Sequence, residues 1–172
     1  MSDDSAFEAF VRANATGLLR TAFLLTGSHH AAEDLLQDTL TALYPRWERV
    51  DKADAPLAYV RKSVANRFLS GKRLRSSHES PMWELPDGWD GRDLGEAVAD
   101  RQMLWQMLGT LPERQRVAIV MRYFHDLTDQ QIADLLECRL ASVRSLISRG
   151  VGAMRSHSLT GLPTSDGTEA RQ

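Results

Sequence analysis

Arginine and serine residues recur at helical spacing near the end of the chain, in a stretch without a carboxylate. The set comprises Ser142, Arg144, Ser145, Ser148 and Arg149. Arg155 would point within about 20° of Arg144, because each residue turns a helix by about 100°. Guanidinium groups bind phosphates and base edges, and hydroxyl groups add further hydrogen bonds. These residues predict a DNA-binding helix face, although a solvated face of an ordinary helical hairpin can have the same composition.

The residues around this set predict two helices joined by a tight turn. Thr128 and Gln131 have the spacing of a capping box, in which each side chain bonds the other's free backbone N–H, so a helix should begin near Asp129. The turn would contain residues 137–139. An apolar stripe at helical spacing follows, formed by Leu140, Val143, Ile147, Val151 and Met154. This order is typical of a helix-turn-helix, whose second helix enters the major groove of DNA.

A second basic set lies in the middle of the chain. Residues 61–78 contain six basic and no acidic side chains, more charge than an amphipathic helix needs for solubility. Pro56 suits the first turn of a helix, with Asp54 as its cap. The residues that we expect to contact DNA here are Trp47, Tyr59, Arg61, Lys62, Asn66, Arg67, Lys72 and Arg73. Aromatic rings can stack on bases while cations follow the phosphates, or they can pack on a neighbouring element.

An acidic and polar set precedes this basic helix. Asp34, Gln37, Asp38 and Thr41 recur at positions i, i+3, i+4 and i+7, so they share the outer face of a helix that Ser28 can cap. Two interpretations remain open at this point. The face is either solvated or a docking surface for a basic partner.

The sequence offers little support for an enzyme. His30 and Asp34 at i, i+4 could share a metal ion, but no third ligand is evident. No glycine-rich phosphate loop, nucleophile elbow or pair of catalytic carboxylates is present in the sequence. We therefore expect no catalytic residue, no metal and no cofactor.

The organisation of the chain predicts an all-α protein with two small helical domains on an acidic flexible linker. Prolines, glycines, serines and aspartates concentrate between Ser76 and Glu96, without a sustained period. We place the first domain at residues 5–75, the linker at 76–97 and the second domain at 98–157. The polar residues 158–172 are expected to be disordered.

The composition of the chain indicates the cellular compartment in which we expect it. The 172 residues include one cysteine, so an internal disulfide is excluded and a reducing compartment is favoured. No run of about 20 apolar residues could span a bilayer, and the N-terminus lacks the pattern of a signal peptide. We therefore expect a cytoplasmic protein without membrane insertion.

Five motifs in this order resemble the extracytoplasmic-function group of bacterial sigma-70-type sigma factors, most of all its compact actinobacterial members. They are the acidic AEDLLQDTL helix, an aromatic segment, the basic YVRKSVANRF helix, an acidic linker, and LGTLPERQRVAIVMRYFHDLTDQQIADLLECRLASVRSLISRG. The resemblance covers roughly residues 5–156. In one departure from the pattern, Glu137 stands in the turn where relatives frequently have glycine.

The resemblance implies a function for each set of residues. The first domain would be sigma region 2, which docks on the clamp helices of the largest RNA polymerase subunit through the acidic face and reads the minus-ten promoter element through the basic helix. The second would be sigma region 4, which reads the minus-thirty-five element through its helix-turn-helix and packs on the polymerase flap. An anti-sigma factor is a further partner that the resemblance allows.

One rival hypothesis comes from another class of protein. A transcriptional regulator could use the same helix-turn-helix without docking on core polymerase, with the first domain serving dimerisation or effector binding. It explains the C-terminal arginines but not the basic helix or the acidic linker. Initiation by purified core polymerase would distinguish the two.

Overall fold

The structure is a computed structural model that describes residues 3–71 and 98–160, and every regular element in these ranges is helical. The first range holds α1 (Asp3–Thr26), α2 (His29–Leu43), a 3₁₀ turn (Tyr44–Arg46), α3 (Trp47–Asp51) and α4 (Pro56–Leu69). The second holds α5 (Val98–Thr110), α6 (Glu113–Tyr123), α7 (Asp129–Leu136) and α8 (Leu140–Thr160). The predicted all-α class is confirmed. The predicted linker, Lys72 and Arg73 lie outside the described residues, and so does the predicted tail from residue 161 onward. Residues 158–160, which were expected to be disordered, form the end of α8 instead.

The first four helices form a bundle around α1. The sequence suggests two apolar faces in this region, and both belong to one continuous helix whose buried side chains run from Phe7 to Leu25. Gly27 ends it with a φ of 72°, a conformation that glycine adopts without steric cost. Ser28 then caps α2, its Oγ accepting from the N–H of Ala31 at 3.4 Å, which confirms the predicted cap.

Trp47 lies in the core of this bundle and not on its surface. Its side chain is 1% exposed. The ring centroids of Phe7 and Phe10 lie 5.0 Å and 4.7 Å from it, at tilted to edge-on angles that suit the charge distribution of aromatic rings. The expectation that Trp47 stacks on a base is therefore corrected, because the face it would offer is already packed.

The start of α4 also differs from the expectation. Its N-cap is Ala55, which makes no side-chain capping bond, so the predicted cap by Asp54 is wrong. Pro56 occupies the first turn, as expected. Its fixed φ favours helix initiation, and it has no N–H that requires a partner, so a side-chain cap is less necessary.

The second bundle contains the predicted helix-turn-helix. The N–H of Gln131 donates to Thr128 Oγ1 at 3.2 Å, and the N–H of Thr128 donates to Gln131 Oε1 at 2.9 Å, which confirms the capping box. Glu137 ends α7 in the left-handed region, with a φ of 51°. Gly150 lets α8 approach α6 closely, since a Cβ atom there would lie 3.0 Å from Ile119 Cγ1.

The two bundles pack against each other. α1 contacts α5 and α6, and α4 contacts α6 and α7. The rings of Phe23 and Trp105 meet edge to face with centroids 4.5 Å apart. Arg116 Nη1 donates to the carbonyl of Leu25 at 2.6 Å. The sequence predicts the two helical units but not this arrangement.

Candidate nucleic-acid interface

The predicted DNA-binding residues of α8 share one face of that helix. Val143 and Gly150 are buried on the opposite side, against α6 and α7. Because α8 packs along this stripe, the helical period turns the predicted residues toward solvent. Ser142, Arg144, Ser148 and Arg149 are exposed, and Ser145 is half-buried. The structure thus brings together all five side chains that the sequence assigns to this surface.

Asp129 holds two arginines at the edge of this face. Its Oδ2 accepts from Arg144 Nε at 3.3 Å, and its Oδ1 lies 3.5 Å from Arg122 Nη1. These two arginines and Arg155 line an open cleft of about 530 Å³. The carboxylate fixes the direction of flexible cationic side chains, and the cleft remains rich in donors that suit phosphate.

The basic helix α4 presents a narrower surface than the sequence suggests. Tyr59, Lys62 and Asn66 are exposed, and their spacing of three and four residues places them on one face. The Tyr59 side chain is 42% exposed, so its ring is available for stacking. Among the described residues of the predicted minus-ten surface, these three are the exposed ones.

Two arginines of α4 are half-buried instead. Arg61 lines a cavity of about 230 Å³ together with Met121, Leu127 and Leu135 of the second bundle. Burial lowers the pKa of its guanidinium below the ordinary value, although a group with this affinity for protons stays charged. Arg67 interacts electrostatically with Asp38 of α2. Both arginines are therefore less accessible to DNA than the composition of the helix would imply.

Lys62 faces solvent and also contacts the second bundle. Its side chain is exposed, yet its Nζ donates to the backbone carbonyl of Asp134 on α7 at 3.4 Å. This is a long bond between exposed groups, so it contributes little by itself. It shows, however, that the second bundle lies within reach of the predicted minus-ten surface.

The acidic face of α2 lies beside α4. Asp34 and Thr41 are exposed, while Gln37 and Asp38 are half-buried. Burial raises the pKa of Asp38, an effect that Arg67 opposes and Asp34 reinforces. The four predicted residues do share one face, and its two carboxylates are close enough to influence each other.

Among the described residues, no third potential metal ligand joins His30 and Asp34. His30 Nε2 lies 3.5 Å from Asp34 Oδ2, and both side chains are largely exposed. No cluster of three or more potential ligands from histidine, cysteine, aspartate and glutamate occurs among the described residues. Nor does any helix in those ranges have the length and apolar character needed to cross a bilayer.

The second bundle also carries an apolar groove that the sequence did not predict. It has a volume of about 380 Å³ and lies between α5, α6 and α8. Its lining residues are Leu104, Met107, Ile119, Tyr123, Phe124, Val151, Met154 and Arg155. The sequence feature that could have indicated this groove is the pair Tyr123 and Phe124, which follows the buried apolar run of α6. Their side chains are 60% and 38% exposed. Exposed apolar surface of this kind marks an interaction site.

The sequence also did not predict the polar contacts between the two bundles. His125 Nε2 lies 2.8 Å from the hydroxyl of Thr21, a fully buried residue of α1. Because that hydroxyl donates to the carbonyl of Gly17 at 3.0 Å, the imidazole Nε2–H is the donor to Thr21. Desolvation lowers the pKa of His125 to about 4, with a further lowering by Arg61 and an opposing effect of Asp126.

Comparison with known proteins identifies both halves of the chain. Residues 10–78 match the family model for sigma-70 region 2, and residues 101–154 match the model for sigma-70 region 4. The RNA polymerase sigma-E factor of Streptomyces coelicolor is 31% identical over 155 residues, covering 90% of this chain and 87% of that protein. Its counterpart in Streptomyces avermitilis is 32% identical over 149 residues, covering 87% and 83%.

Solved structures support the same fold. The sigma factor RpoE of Bartonella quintana, crystallised with the anti-sigma factor NepR, aligns with a TM-score of 0.65 at 21% identity, covering 91% of this chain and 98% of that one. CnrH, in complex with the cytosolic domain of CnrY, aligns with a TM-score of 0.63 at 16% identity, covering 92% and 91%. With both sigma regions matched in order, the chain belongs to the extracytoplasmic-function group of the sigma-70 family of RNA polymerase sigma factors.

Proposed function

We propose that this sigma factor uses four binding surfaces, two that bind DNA and two that bind polymerase. As a member of its family, the chain binds core RNA polymerase and directs initiation at promoters through minus-ten and minus-thirty-five elements. The rival function, a regulator that acts without core polymerase, is not favoured because it leaves the match to sigma region 2 unexplained. The observation that carries the proposal is the pairing of an exposed arginine face on α8 with a separate exposed stripe on α4.

The minus-thirty-five surface is the face of α8 that carries Ser142, Arg144, Ser145, Ser148 and Arg149. Arg144 is the residue best suited to read a base, because its side chain is 69% exposed and oriented by Asp129. A bidentate contact between an arginine and guanine contributes about 1–3 kcal/mol of discrimination against the wrong base. The serines and Arg149 would bind the flanking phosphates.

The minus-ten surface centres on Tyr59, Lys62 and Asn66. An exposed aromatic ring beside cationic and amide groups suits an unpaired strand, since stacking contributes about 1–3 kcal/mol per base. Arg61 and Arg67 would add charge from the flanks of this stripe. Lys72 and Arg73 continue the basic run in sequence, and their part in the surface remains a prediction.

Polymerase would be bound at two places. The acidic face of α2, with Asp34, Gln37, Asp38 and Thr41, suits the clamp helices of the largest subunit if these present basic side chains. The apolar groove between α5, α6 and α8 suits an apolar element of the flap, and Arg155 at its rim offers a polar contact. Two modest sites on one chain gain from effective concentration.

Purified components test this function directly. The full chain, added to core RNA polymerase and a library of promoter fragments, should produce transcripts whose start sites share a minus-ten and a minus-thirty-five sequence. Core polymerase alone, and core polymerase with an unrelated sigma factor, serve as controls. Absence of both binding to core and initiation would refute the proposal, whereas DNA binding without core binding would favour the regulator.

The remaining assignments follow from this role. We place domain boundaries at residues 5–75 and 98–157, close to the matched ranges. Family members act by recognising DNA, without an enzymatic reaction of their own, and in the cytoplasm, where polymerase meets the chromosome. An anti-sigma factor is proposed as a further partner because RpoE and CnrH, two solved structures with the same fold, are each bound to another protein.

A further inference from the structure

One acidic side chain lies in the cleft beside α8 that would face DNA. Of the described residues that line this cleft of about 530 Å³, Asp129 alone is acidic, and Arg122, Arg144 and Arg155 are basic. A carboxylate at this place repels the phosphates of a duplex, which bind proteins mainly through positive charge. It can favour DNA binding by orienting the arginines, or by accepting a hydrogen bond from the N4 amino group of cytosine. The contacts of Asp129 favour the first role.

The carboxylate of Asp129 is held from two directions. Asp129 is the first residue of α7, directly after the N-cap residue Thr128, and a negative charge is favourable at this end of a helix. From the other side, Arg122 Nη1 lies 3.5 Å from Asp129 Oδ1. The same Nη1 donates to the carbonyl of Leu127 at 3.1 Å, so this arginine is itself bound to the backbone.

Both oxygens of this carboxylate are engaged by arginines. Oδ1 faces Arg122, and Oδ2 accepts from Arg144 Nε at 3.3 Å. The Asp129 side chain is 25% exposed, whereas that of Arg144 is 69% exposed. Because Asp129 accepts from Nε, both Nη groups of Arg144 remain for a bidentate contact with guanine. A long cationic side chain is thus oriented before DNA binds, which reduces the entropy lost on binding.

We propose that Asp129 is a positioning residue that makes the minus-thirty-five surface selective for its sequence. It holds Arg144 toward the base edges and offsets part of the positive charge of the cleft, so that sequence-independent binding to phosphates is weakened. Arg122 acts one step further away, by holding the carboxylate in place. This inference rests on the proposed function, since it presupposes that α8 reads duplex DNA.

The two effects of Asp129 have opposite signs, which separates them from a purely structural role. Loss of the carboxylate frees Arg144 and Arg122 for phosphates, so binding to unrelated DNA should become tighter and more sensitive to salt. The preference for cognate DNA should fall, because Arg144 is no longer oriented. A residue that only stabilised the fold would lower both affinities when replaced. Exposed ion pairs contribute little to stability, so the variant should remain folded.

A charge-neutral variant and a matched control separate these roles. Asp129→Asn removes the charge and keeps the shape of the side chain. Asp134→Asn makes the same change on an exposed carboxylate of α7 whose Oδ1 accepts from Gln130 Nε2 at 2.9 Å instead of from an arginine. Circular dichroism and thermal unfolding of each full-length variant check that the helices remain folded.

The first measurement is competition binding of short duplexes to the holoenzyme, assembled from core polymerase and each full-length variant. One duplex carries the minus-thirty-five sequence mapped with the wild type, a second has single-base changes in it, and a third is unrelated. In Asp129→Asn the preference for the cognate over the altered duplex should fall about fivefold. Affinity for the unrelated duplex should rise about threefold, and the slope of log affinity against log salt concentration should steepen by about one. Asp134→Asn should match the wild type.

Two results of this measurement would overturn the proposal. One is an unchanged sequence preference in the folded Asp129→Asn variant. The other is an equal fall in affinity for the cognate and the unrelated duplex, which is the result that a purely structural role predicts.

The second measurement tests whether Asp129 acts through Arg144. Arg144→Ala and the double variant with Asp129→Asn should have the same sequence preference within about twofold, because the positioned group is gone from both. A further loss in the double variant would show that Asp129 contacts a base itself, and would overturn the positioning role. If Arg144→Ala lowers the preference and Asp129→Asn does not, this inference fails alone. If neither variant changes it, the minus-thirty-five assignment in the proposed function fails as well.

Discussion

The two basic helices of this protein, α4 and α8, have similar compositions but different surroundings. On α8 the predicted residues share one face, and four of the five are exposed. On α4 only Tyr59, Lys62 and Asn66 form an exposed stripe, while Arg61 meets the second bundle and Arg67 is near Asp38. A run of positive charge therefore does not by itself define a DNA-binding surface. The elements that pack around the helix decide which cations are available.

This difference suggests two modes of DNA recognition within one chain. The face of α8 is already oriented for duplex DNA, with Asp129 fixing Arg144. On α4, by contrast, Arg61 is half-buried in a cavity shared with the second bundle, so less of the positive charge of this helix faces solvent. The following predictions test that contrast, from the largest expected effect to the smallest.

Loss of Arg144 should have the largest effect. Arg144→Ala removes the proposed base contact, so discrimination for the cognate minus-thirty-five sequence should fall by about 1–3 kcal/mol, or roughly five- to 150-fold. Competition binding with cognate and altered promoters measures this change. Arg139→Ala removes the same charge from the turn and should leave the sequence preference unchanged. An equal loss in affinity for core polymerase would contradict the assignment of Arg144 to DNA.

Reversal of charge on the acidic face should weaken polymerase docking. Asp38→Lys should reduce affinity for the clamp helices by about tenfold, because it places a cation where the partner is expected to be basic. Binding of a purified clamp-helix fragment measures this, with Glu8→Lys, a reversal of an exposed carboxylate on α1, as the control. Wild-type affinity in Asp38→Lys would show that the face is merely solvated.

Acid should loosen the contact between the bundles. In the contact between the bundles the pKa of His125 is about 4, whereas an imidazole freed from this contact would have an ordinary pKa near 6.5, so separated bundles would bind more protons between these values. Docking is therefore fully favourable above pH 6.5 and is lost as the pH falls toward 4. At pH 5.5 the shift should be at most about tenfold, and smaller to the extent that solvent screens this half-buried ring.

The radius of gyration from small-angle X-ray scattering at pH 7.5 and 5.5 measures this shift. His125→Leu has no titrating group at the position, so its values should change little between the two pH values. A wild-type chain whose radius of gyration is the same at both pH values would contradict this prediction.

A glycine in the turn should have the smallest effect. Glu137 has a φ of 51°, which costs a residue with a Cβ atom about 1 kcal/mol. Glu137→Gly relieves this strain but increases the entropy of the unfolded chain, so a net gain in the free energy of unfolding of about 0.5 kcal/mol is expected. Chemical denaturation measures it. Glu137→Ala keeps the Cβ atom and should show no gain, and a loss of stability on introducing glycine would contradict the explanation.

Local features of the fold followed well from the sequence. The capping box of Thr128 and Gln131, the Ser28 cap and the turn at Glu137 each depend on residues within a few positions, where spacing defines the geometry. Asp54 was the exception, since Pro56 at the first turn makes a side-chain cap dispensable. Residue types and spacing were sufficient wherever the partners are neighbours in sequence.

Features that depend on residues far apart in the chain could not be predicted from the sequence. Trp47 looked like a stacking residue, and only the packing of Phe7 and Phe10 from α1 shows that it belongs to the core. The apolar groove requires residues of α5, α6 and α8 to meet. The Thr21–His125 bond joins residues 104 positions apart.

The sequence by itself determined the helices, the Ser28 cap, the Thr128–Gln131 capping box, the order of the two sigma regions and hence the family, because all of these depend on short-range periodicity and on motif order. The tertiary structure alone decided which charges are available. Burial and hydrogen bonding across the interface depend on how the two bundles meet. Hydrophobic contact is non-directional, so periodicity within one helix carries no information about that arrangement.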